Sequence, residues 1–313
     1  MYVLSSPWLP PITVAVVQLL VVLFYLYIIS HTNHIPSLDL PGIYIRTVCI
    51  LLLVYYTMYK CISTDPGSIT HKSMQPHIGA AHSNQHQLTV GSFHTLIIHS
   101  TYQTKYNGTR RYCRKCNVYK PDRTHHCYNH NQCVLRFDHC CGVLNNCIGL
   151  YNYKYFMLYV LYVVLLSGSL LHTLLYYGSL WWYDLYHDTI PALFILYLTC
   201  INISIIIGLA LFVLYHMILI IYNITTVEYM ESDRITLRTL YNTPYSKSII
   251  HNIRSVLGSN PLYWLLPIDS HIHYTHNNQL YTKSTDMRIE ADNSIRSMLT
   301  LQYTQPDYGV VYR

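Results

Sequence analysis

Between Cys113 and Cys147 the chain carries seven of its ten cysteines, interleaved with histidines. Two of them, Cys140 and Cys141, are adjacent and directly follow Asp138-His139. Thiolates and imidazoles in such density suit a tetrahedral zinc site. A thiol near an imidazole that is itself next to a carboxylate suits nucleophilic catalysis. Counting separates the two chemistries. Cys113, Cys116, His126 and Cys133 are separated by two, nine and six residues; Cys127, His130, Cys140 and Cys147 repeat those intervals fourteen residues later. The repeat assigns eight ligands to two structural zinc ions, each bound by three cysteines and one histidine, and leaves Cys141 without a metal. Cys140 is then a ligand and Cys141 is free to react, with His139 as its base and Asp138 orienting the imidazole. Nearby zinc and basic residues would favour the thiolate. Two other readings stay open here: a zinc-stapled loop with Cys141 as a spare thiol, and a site that uses His139 as a ligand, which the repeat does not need. A segment of about forty residues requires metal to fold whatever it does.

The elements that position this cluster belong to a membrane protein. Of 313 residues, 51% are hydrophobic and only 11% charged, and the apolar residues form long runs. Four runs are long enough to cross a bilayer: Ile12–Ile29, Ile43–Ser63, Tyr155–Tyr177 and Ile190–Tyr222. The shortest spans about 27 Å at 1.5 Å per residue, close to the hydrocarbon thickness. Arg46 and Lys60 lie near the ends of the second run, where long cationic side chains reach an interface. No basic segment precedes Ile12, so that run is expected to be a retained helix rather than a signal peptide. Thirty-three tyrosines also suit a chain with much surface at membrane interfaces. Cys49, Cys61 and Cys200 fall in apolar runs and are expected to be small buried hydrophobes.

Between Lys105 and Arg136 lie eight Lys/Arg and one acid, whereas the connections 31–42 and 179–189 carry only Asp39, Asp184 and Asp188. The positive-inside rule then puts the insert between spans two and three, and both termini, in the cytosol. The reduced state of clustered thiols agrees. The expected fold class is an integral membrane, mainly α protein: four transmembrane helices with a cytosolic cysteine-rich two-zinc domain of short β-hairpins between spans two and three. The expected division is 1–67 for the first two helices, 68–109 for a flexible linker and 110–150 for the zinc-binding catalytic domain. Residues 151–222 form helices three and four, 223–267 a cytosolic amphipathic segment and 268–313 a polar tail.

These residues resemble the DHHC protein S-acyltransferases, the palmitoyltransferases. Cys113-x2-Cys116, the run KPDRTHHC (Lys120–Cys127), Cys133, Asp138-His139-Cys140-Cys141 and Asn145-Asn146-Cys147-Ile148-Gly149 follow that family's cysteine-rich signature. Asp65-Pro66-Gly67 matches its DPG motif, Thr225-Thr226-Val227-Glu228 its TTxE motif, and Asn252 with Val256–Pro261 its C-terminal segment. Three departures stand out. The tetrad reads Asp-His-Cys-Cys instead of Asp-His-His-Cys, His130 stands where the family has cysteine, and Gly142-Val143 replaces Pro-Trp. The first two compensate, because the second site keeps three cysteines and one histidine. The third is uncompensated, since Gly142 is freer than proline and would loosen the reactive turn.

The resemblance implies a two-step protein S-palmitoyltransferase. Cys141 takes a long-chain acyl group from acyl-CoA (palmitoyl-CoA) and passes it to a cysteine of a membrane-associated substrate protein. Arg110, Arg111, Arg114, Lys115, Lys120 and Arg123 are expected to receive the CoA phosphates, or else anionic lipid headgroups. Thr226 and Asn252 are expected to brace the site. The implied partners are membrane lipid, acyl-CoA and substrate proteins with cytosolic membrane-proximal cysteines, with no nucleic acid. The implied location is an endomembrane (ER or Golgi) or the plasma membrane. The alternative is a catalytically weak or inactive zinc-stabilised membrane adaptor.

Overall fold

The computed structural model describes residues 9–30, 39–69, 103, 105, 107–185, 189–231, 245–269, 272–274 and 280–282. Most of the expected linker and of the polar tail lies outside these described residues.

The four apolar runs are helices: α1 (Leu9–Ser30), α2 (Leu40–Ser63), α3 (Tyr153–Leu185) and α4 (Thr189–Tyr222). Each contains a stretch long and apolar enough to cross a membrane. A helix is the form in which such a run satisfies its own backbone groups in lipid. Pro41 sits in the first turn of α2, where its missing N–H costs nothing. The most buried of the four, α3, packs against both α2 and α4. Val54 and Met58 of α2, Leu158 and Leu166 of α3 and Ile220 of α4 share one core. The chain is therefore a multi-pass, mainly helical membrane protein.

Between α2 and α3 stand three antiparallel hairpins. The first pairs β2 (Tyr112–Cys113) with β3 (Val118–Tyr119), the second β4 (His125–Cys127) with β5 (Gln132–Val134), and the third β6 (His139–Cys141) with β7 (Asn146–Ile148). A short strand, β1 (Ser68–Ile69), adds to the second hairpin in the order β1-β5-β4. Each hairpin turns on an asparagine with positive φ: Asn117 (57°), Asn131 (50°) and Asn145 (46°). Asparagine tolerates that left-handed conformation better than other residues with a side chain. These asparagines are fourteen residues apart, so the hairpin itself, though not its ligand set, recurs a third time with Cys141 in the place of Cys113 and Cys127.

The hairpins are fastened to the membrane helices through unsatisfied helix ends and tight turns. A helix leaves its last four carbonyls open. At the end of α2, Asn146 Nδ2 donates to the carbonyls of Cys61 (3.1 Å), Ile62 (3.1 Å) and Thr64 (3.3 Å). In the Asp65-Pro66-Gly67 turn the Asp65 carboxylate accepts the N–H of Gly67 (2.7 Å) and of Ser68 (2.6 Å), while Gly67 takes φ +101°. Gly149 lies so close to this turn that a Cβ would stand 2.5 Å from the Pro66 carbonyl oxygen.

Beyond α4 come α5 (Thr226–Glu231), α6 (Ile249–Leu257), a 3-10 turn (Pro261–Tyr263), and a hairpin of β8 (Ile272–Tyr274) with β9 (Leu280–Thr282). Ser248 caps α6 by accepting the His251 N–H.

Candidate active site and metal clusters

The structure gathers the eight ligand candidates into the two sets read from the spacing, with the donor atoms of each set within 4.8 Å of one another. In the first, His126 Nδ1 lies 3.5, 3.2 and 3.9 Å from the sulfurs of Cys113, Cys116 and Cys133. In the second, His130 Nδ1 lies 3.5, 3.6 and 3.4 Å from Cys127, Cys140 and Cys147. A tetrahedral zinc with ordinary Zn–S and Zn–N bonds separates sulfur from nitrogen by about 3.5 Å. Both clusters thus fit a metal ion in size and in donor chemistry. Each runs between hairpins: the loop of one hairpin supplies two ligands and the strands that follow supply the rest. The second histidine has a further contact, because His130 Nε2 lies 3.1 Å from the Asn145 carbonyl oxygen, in the turn of the third hairpin.

Cys141 ends the first strand of the third hairpin, at the position held by Cys113 and Cys127 in the other two. Where those hairpins present Cys116 and His130, the third presents Leu144, fully buried in the core shared with the membrane helices. Neither cluster includes Cys141. Its sulfur accepts from the backbone N–H of Leu144 and of Val143 and is hydrogen-bonded to His139. Burial alone would raise this thiol; the imidazole and the two amides outweigh it and hold the thiol below its usual range.

His139 lies between Cys141 and Asp138. Its Nδ1 donates to Asp138 Oδ2 at 2.8 Å, and its other face meets Phe156 edge-on, with ring centroids 4.9 Å apart. Burial opposes the imidazolium, yet the hydrogen bonds to Asp138 and to Cys141 push His139 up to about 9. Asp138 is buried and fixed from three sides. Besides His139, it accepts the Thr226 N–H at Oδ1 (2.9 Å) and the Thr226 hydroxyl at Oδ2 (2.8 Å). A buried carboxylate with this many donors stays ionised, and its pKa is lowered in spite of burial.

The Thr-Thr-x-Glu run explains how Thr226 reaches Asp138. Thr225 and Glu228 form a capping box for α5: Thr225 Oγ1 accepts the Glu228 N–H (3.2 Å), and Glu228 Oε2 accepts the Thr225 N–H (2.8 Å). Thr226 is the next residue, the first of α5, with its N–H and hydroxyl both turned to Asp138. Glu228 also receives the Arg123 guanidinium in two bonds, 2.7 and 2.8 Å. Burial would raise the Glu228 carboxyl, but the Arg123 charge keeps it low. The same guanidinium donates to Asn223 Oδ1 (3.0 Å) and to its carbonyl (2.9 Å). Arg136, three residues before His139, donates to Asn223 Oδ1 (2.8 Å) and to the Ser255 carbonyl (3.0 Å). Asn252 donates to the Ile221 carbonyl at 2.7 Å, so it holds the end of α4 beside this network rather than the reacting groups.

Two of the residues expected to contact phosphate have partners within the protein. Arg123 is buried and its guanidinium is engaged by Glu228 and Asn223. Arg111 donates to the Gln103 side chain and to the Thr124 carbonyl. Both serve the fold. Arg114 and Lys115 are exposed, the latter 4.4 Å above the Tyr128 ring, and Arg110 and Lys120 are half-buried. Sequence reading missed Arg136, Asn223, Asn146 and His216. His216 of α4 is buried, lies 2.8 Å from the Tyr153 hydroxyl, and packs behind His139 with ring centroids 6.1 Å apart.

Residues 106–233 match the family described as DHHC palmitoyltransferase. The probable protein S-acyltransferase 13 of Arabidopsis thaliana is 28% identical over 259 residues, covering 78% of this chain and 80% of that protein. The palmitoyltransferase PFA3 of Candida albicans is 29% identical over 290 residues, covering 80% of this chain and 73% of its own length. Human palmitoyltransferase ZDHHC20 is 36% identical over 169 residues, 54% of this chain and 46% of the human protein. The matched segment contains both metal clusters, the Asp138–His139–Cys141 line and the Thr-Thr-x-Glu brace, so the part of the chain that carries the site is the part similar to the DHHC palmitoyltransferases.

Proposed function

We propose that this membrane enzyme, a protein S-palmitoyltransferase, uses Cys141 as its acyl-carrying nucleophile, His139 as general base and acid, and Asp138 as the group that orients His139. The observation that carries the reading is the third hairpin: Cys141 keeps the two backbone donors of a metal-binding turn but has an imidazole in place of a metal. The Cys141 thiolate attacks the thioester carbonyl of a long-chain acyl-CoA, a new C–S bond forms, and CoA departs as a thiol with the proton carried by His139. A cysteine thiol of the substrate protein then gives its proton to His139 and attacks the acyl-enzyme, and Cys141 leaves as thiolate. One thioester replaces another in each step, so the protein chiefly has to position the reactants and exclude water.

Zinc is the ion that the two Cys3His sets suit, and it would staple the hairpins without entering the chemistry. Arg110, Arg114, Lys115 and Lys120 are the remaining candidates for the CoA phosphates. A C16 chain rests among the helices or in lipid, since each buried methylene contributes about 0.8 kcal/mol. The thioester then lies at the surface on the hairpin side. The basic residues of the insert favour the cytosol for that side, and substrate proteins with cytosolic membrane-proximal cysteines as the acceptors. The division into membrane helices, linker, zinc-binding catalytic domain, amphipathic segment and tail belongs to the same proposal.

The test is acyl-enzyme formation in purified protein fed a clickable palmitoyl-CoA, read by gel with and without hydroxylamine, with metal content measured alongside. Cys141→Ser is expected to abolish the label while retaining both metal equivalents. A label that survives Cys141→Ser but vanishes with Cys140→Ser would make Cys140 the nucleophile. No label in any folded, metal-loaded protein would favour the adaptor instead.

A further inference from the structure

One residue after α6 and its closing Gly258, the chain makes a ten-residue turn, 259–268, that the sequence reading assigned to the cytosol. Its large apolar side chains point outward: Leu262 is 81% exposed and Leu265 65%, and Tyr263, Leu266 and Ile268 are exposed as well. Its backbone is held by α3. The Tyr162 hydroxyl donates to the Leu265 carbonyl, and Lys154 Nζ donates to the carbonyls of Tyr263 (2.8 Å) and Ile268 (3.0 Å). Tyr162 is nine residues into α3, about 13 Å along its axis from Tyr153. Side chains on a helix lean toward its N-terminus, which returns part of that but at most the length of the side chain. The Leu265 carbonyl therefore lies below the start of a helix that is apolar enough to span the membrane from Tyr153 to Tyr176.

We infer that residues 259–268 are inserted into the bilayer leaflet on the hairpin side, as an interfacial anchor whose partner is lipid. Three observations favour lipid over protein as the occupant. The exposed apolar side chains belong to a segment fastened by three of its carbonyls to Lys154 and Tyr162 of α3, a helix apolar enough to span the membrane. The carbonyls of Tyr263, Leu265 and Ile268 are satisfied by Lys154 and Tyr162, which lowers the cost of placing this backbone in lipid. A phenol and an indole, Tyr263 and Trp264, stand between Leu262 and Leu265, and rings of this amphipathic kind are enriched at membrane interfaces. The anchor is also coupled to the hairpins. It follows α6 directly, and the Ser255 carbonyl and hydroxyl of α6 accept from Arg136, two residues before Asp138. The turn thus sets the height of the third hairpin above the lipid, whatever chemistry that hairpin performs.

The experiment uses the full chain in nanodiscs of phosphatidylcholine. Fluorescence of Leu262→Trp/Trp264→Phe minus that of Trp264→Phe isolates an indole at the tip; wild type minus Trp264→Phe gives a second reading without any change at Leu262. Phosphatidylcholine brominated at carbons 6 and 7 is expected to quench both difference signals by at least half, and aqueous iodide to leave them nearly unchanged. Quenching by iodide without quenching by bromolipid would place the turn in water and overturn the inference. Resistance to both quenchers would mean that protein, such as a second copy of the chain, covers the turn, and would overturn it equally.

Discussion

The second and third hairpins share one backbone design and differ in the side chains that surround their first sulfur. In both, a cysteine ends the first strand, a left-handed asparagine follows four residues later, and the backbone N–H of the residue three positions on is aimed at the cysteine sulfur. Three residues on from that cysteine, the second hairpin has His130, which joins the metal cluster, and the third has Leu144, which enters the membrane-side core. With Leu144, Lys154 and Leu161 at the three positions where the repeat would set its other ligands, the Cys141 sulfur keeps two amide donors and an open side, and His139 occupies that side. The comparison teaches that a structural metal hairpin and a reactive thiol can share one backbone. What separates them is whether the residues at the other ligand positions of the repeat can coordinate a metal.

The largest effects are expected from treating the two first cysteines alike. Cys141→Ser should lower acyl-enzyme formation by at least about a thousandfold, as loss of a nucleophile does elsewhere, and should leave both metal equivalents and the melting temperature in place. Cys127→Ser, the same change one repeat earlier, should release one metal equivalent and destabilise the hairpins by several kcal/mol. Metal analysis and thermal melts of the two proteins side by side check this. Equal metal loss in both would mean that Cys141 is a ligand and that the comparison fails.

Asp138→Asn comes next. The third hairpin differs from the second in having a fixed carboxylate behind its imidazole, and loss of that charge should cost about 10^3 to 10^4 in acylation rate by misdirecting His139. Thr226→Val removes one of the three donors to Asp138 but leaves the backbone N–H, and should cost only about tenfold. Single-turnover acylation rates would rank the two; equal effects would show that the brace, more than the charge, governs His139.

How much of this was legible in the sequence depends on the range of each interaction. Ligand spacing is local and periodic, so the clusters could be read by counting. The spans could be read because lipid demands unbroken apolar runs. Asp138 and His139 were within reach because they adjoin the cysteine pair. The pairing of Arg123 was out of reach because a cation in a basic segment looks like a surface charge; its partner Glu228 is 105 residues away in the chain, and only the fold brings them together. The capping-box spacing of Thr225 and Glu228 was there to be read, but the box gives the start of a helix and not what the helix touches. The attachment of 259–268 to α3 was out of reach for a similar reason: a short apolar turn after an amphipathic helix carries no sign that Tyr162 and Lys154, about a hundred residues earlier, hold its carbonyls.

Glu228→Gln tests that long-range support. Both charges are buried, so removing one leaves the other uncompensated, and a loss of about 3–5 kcal/mol is expected. Replacing both partners, as in Arg123→Met/Glu228→Met, should recover part of it. Thermal melts in detergent would show the order, and a double variant less stable than Glu228→Gln would mean that the remaining bonds of Arg123 to Asn223 matter more than the ion pair.

The smallest effect bears most closely on why this chain departs from its relatives. His130 does what a cysteine in its place could not: while Nδ1 faces the three thiols, Nε2 reaches the Asn145 carbonyl in the reactive turn. At Gly142, where the family has proline, a Cβ would meet no atom within 4 Å and φ is not left-handed, so nothing in the surroundings requires glycine. The turn has therefore lost stiffness at Gly142 and gained a tether from the second metal cluster. His130→Cys/Cys140→His returns the ligands to the family's order without changing their number. Both metals should be retained, while amide exchange at Val143, Leu144 and Asn145 should quicken roughly fivefold, the equivalent of one hydrogen bond of about 1 kcal/mol. Gly142→Ala in the exchanged background should slow it again, because alanine restricts the unfolded and loosened turn by about 0.4–1 kcal/mol. Exchange that is unchanged in the first variant would make the ligand exchange neutral. Exchange that quickens, and then slows with alanine, would make His130 the reason a chain without the usual proline can still hold its thiol in place.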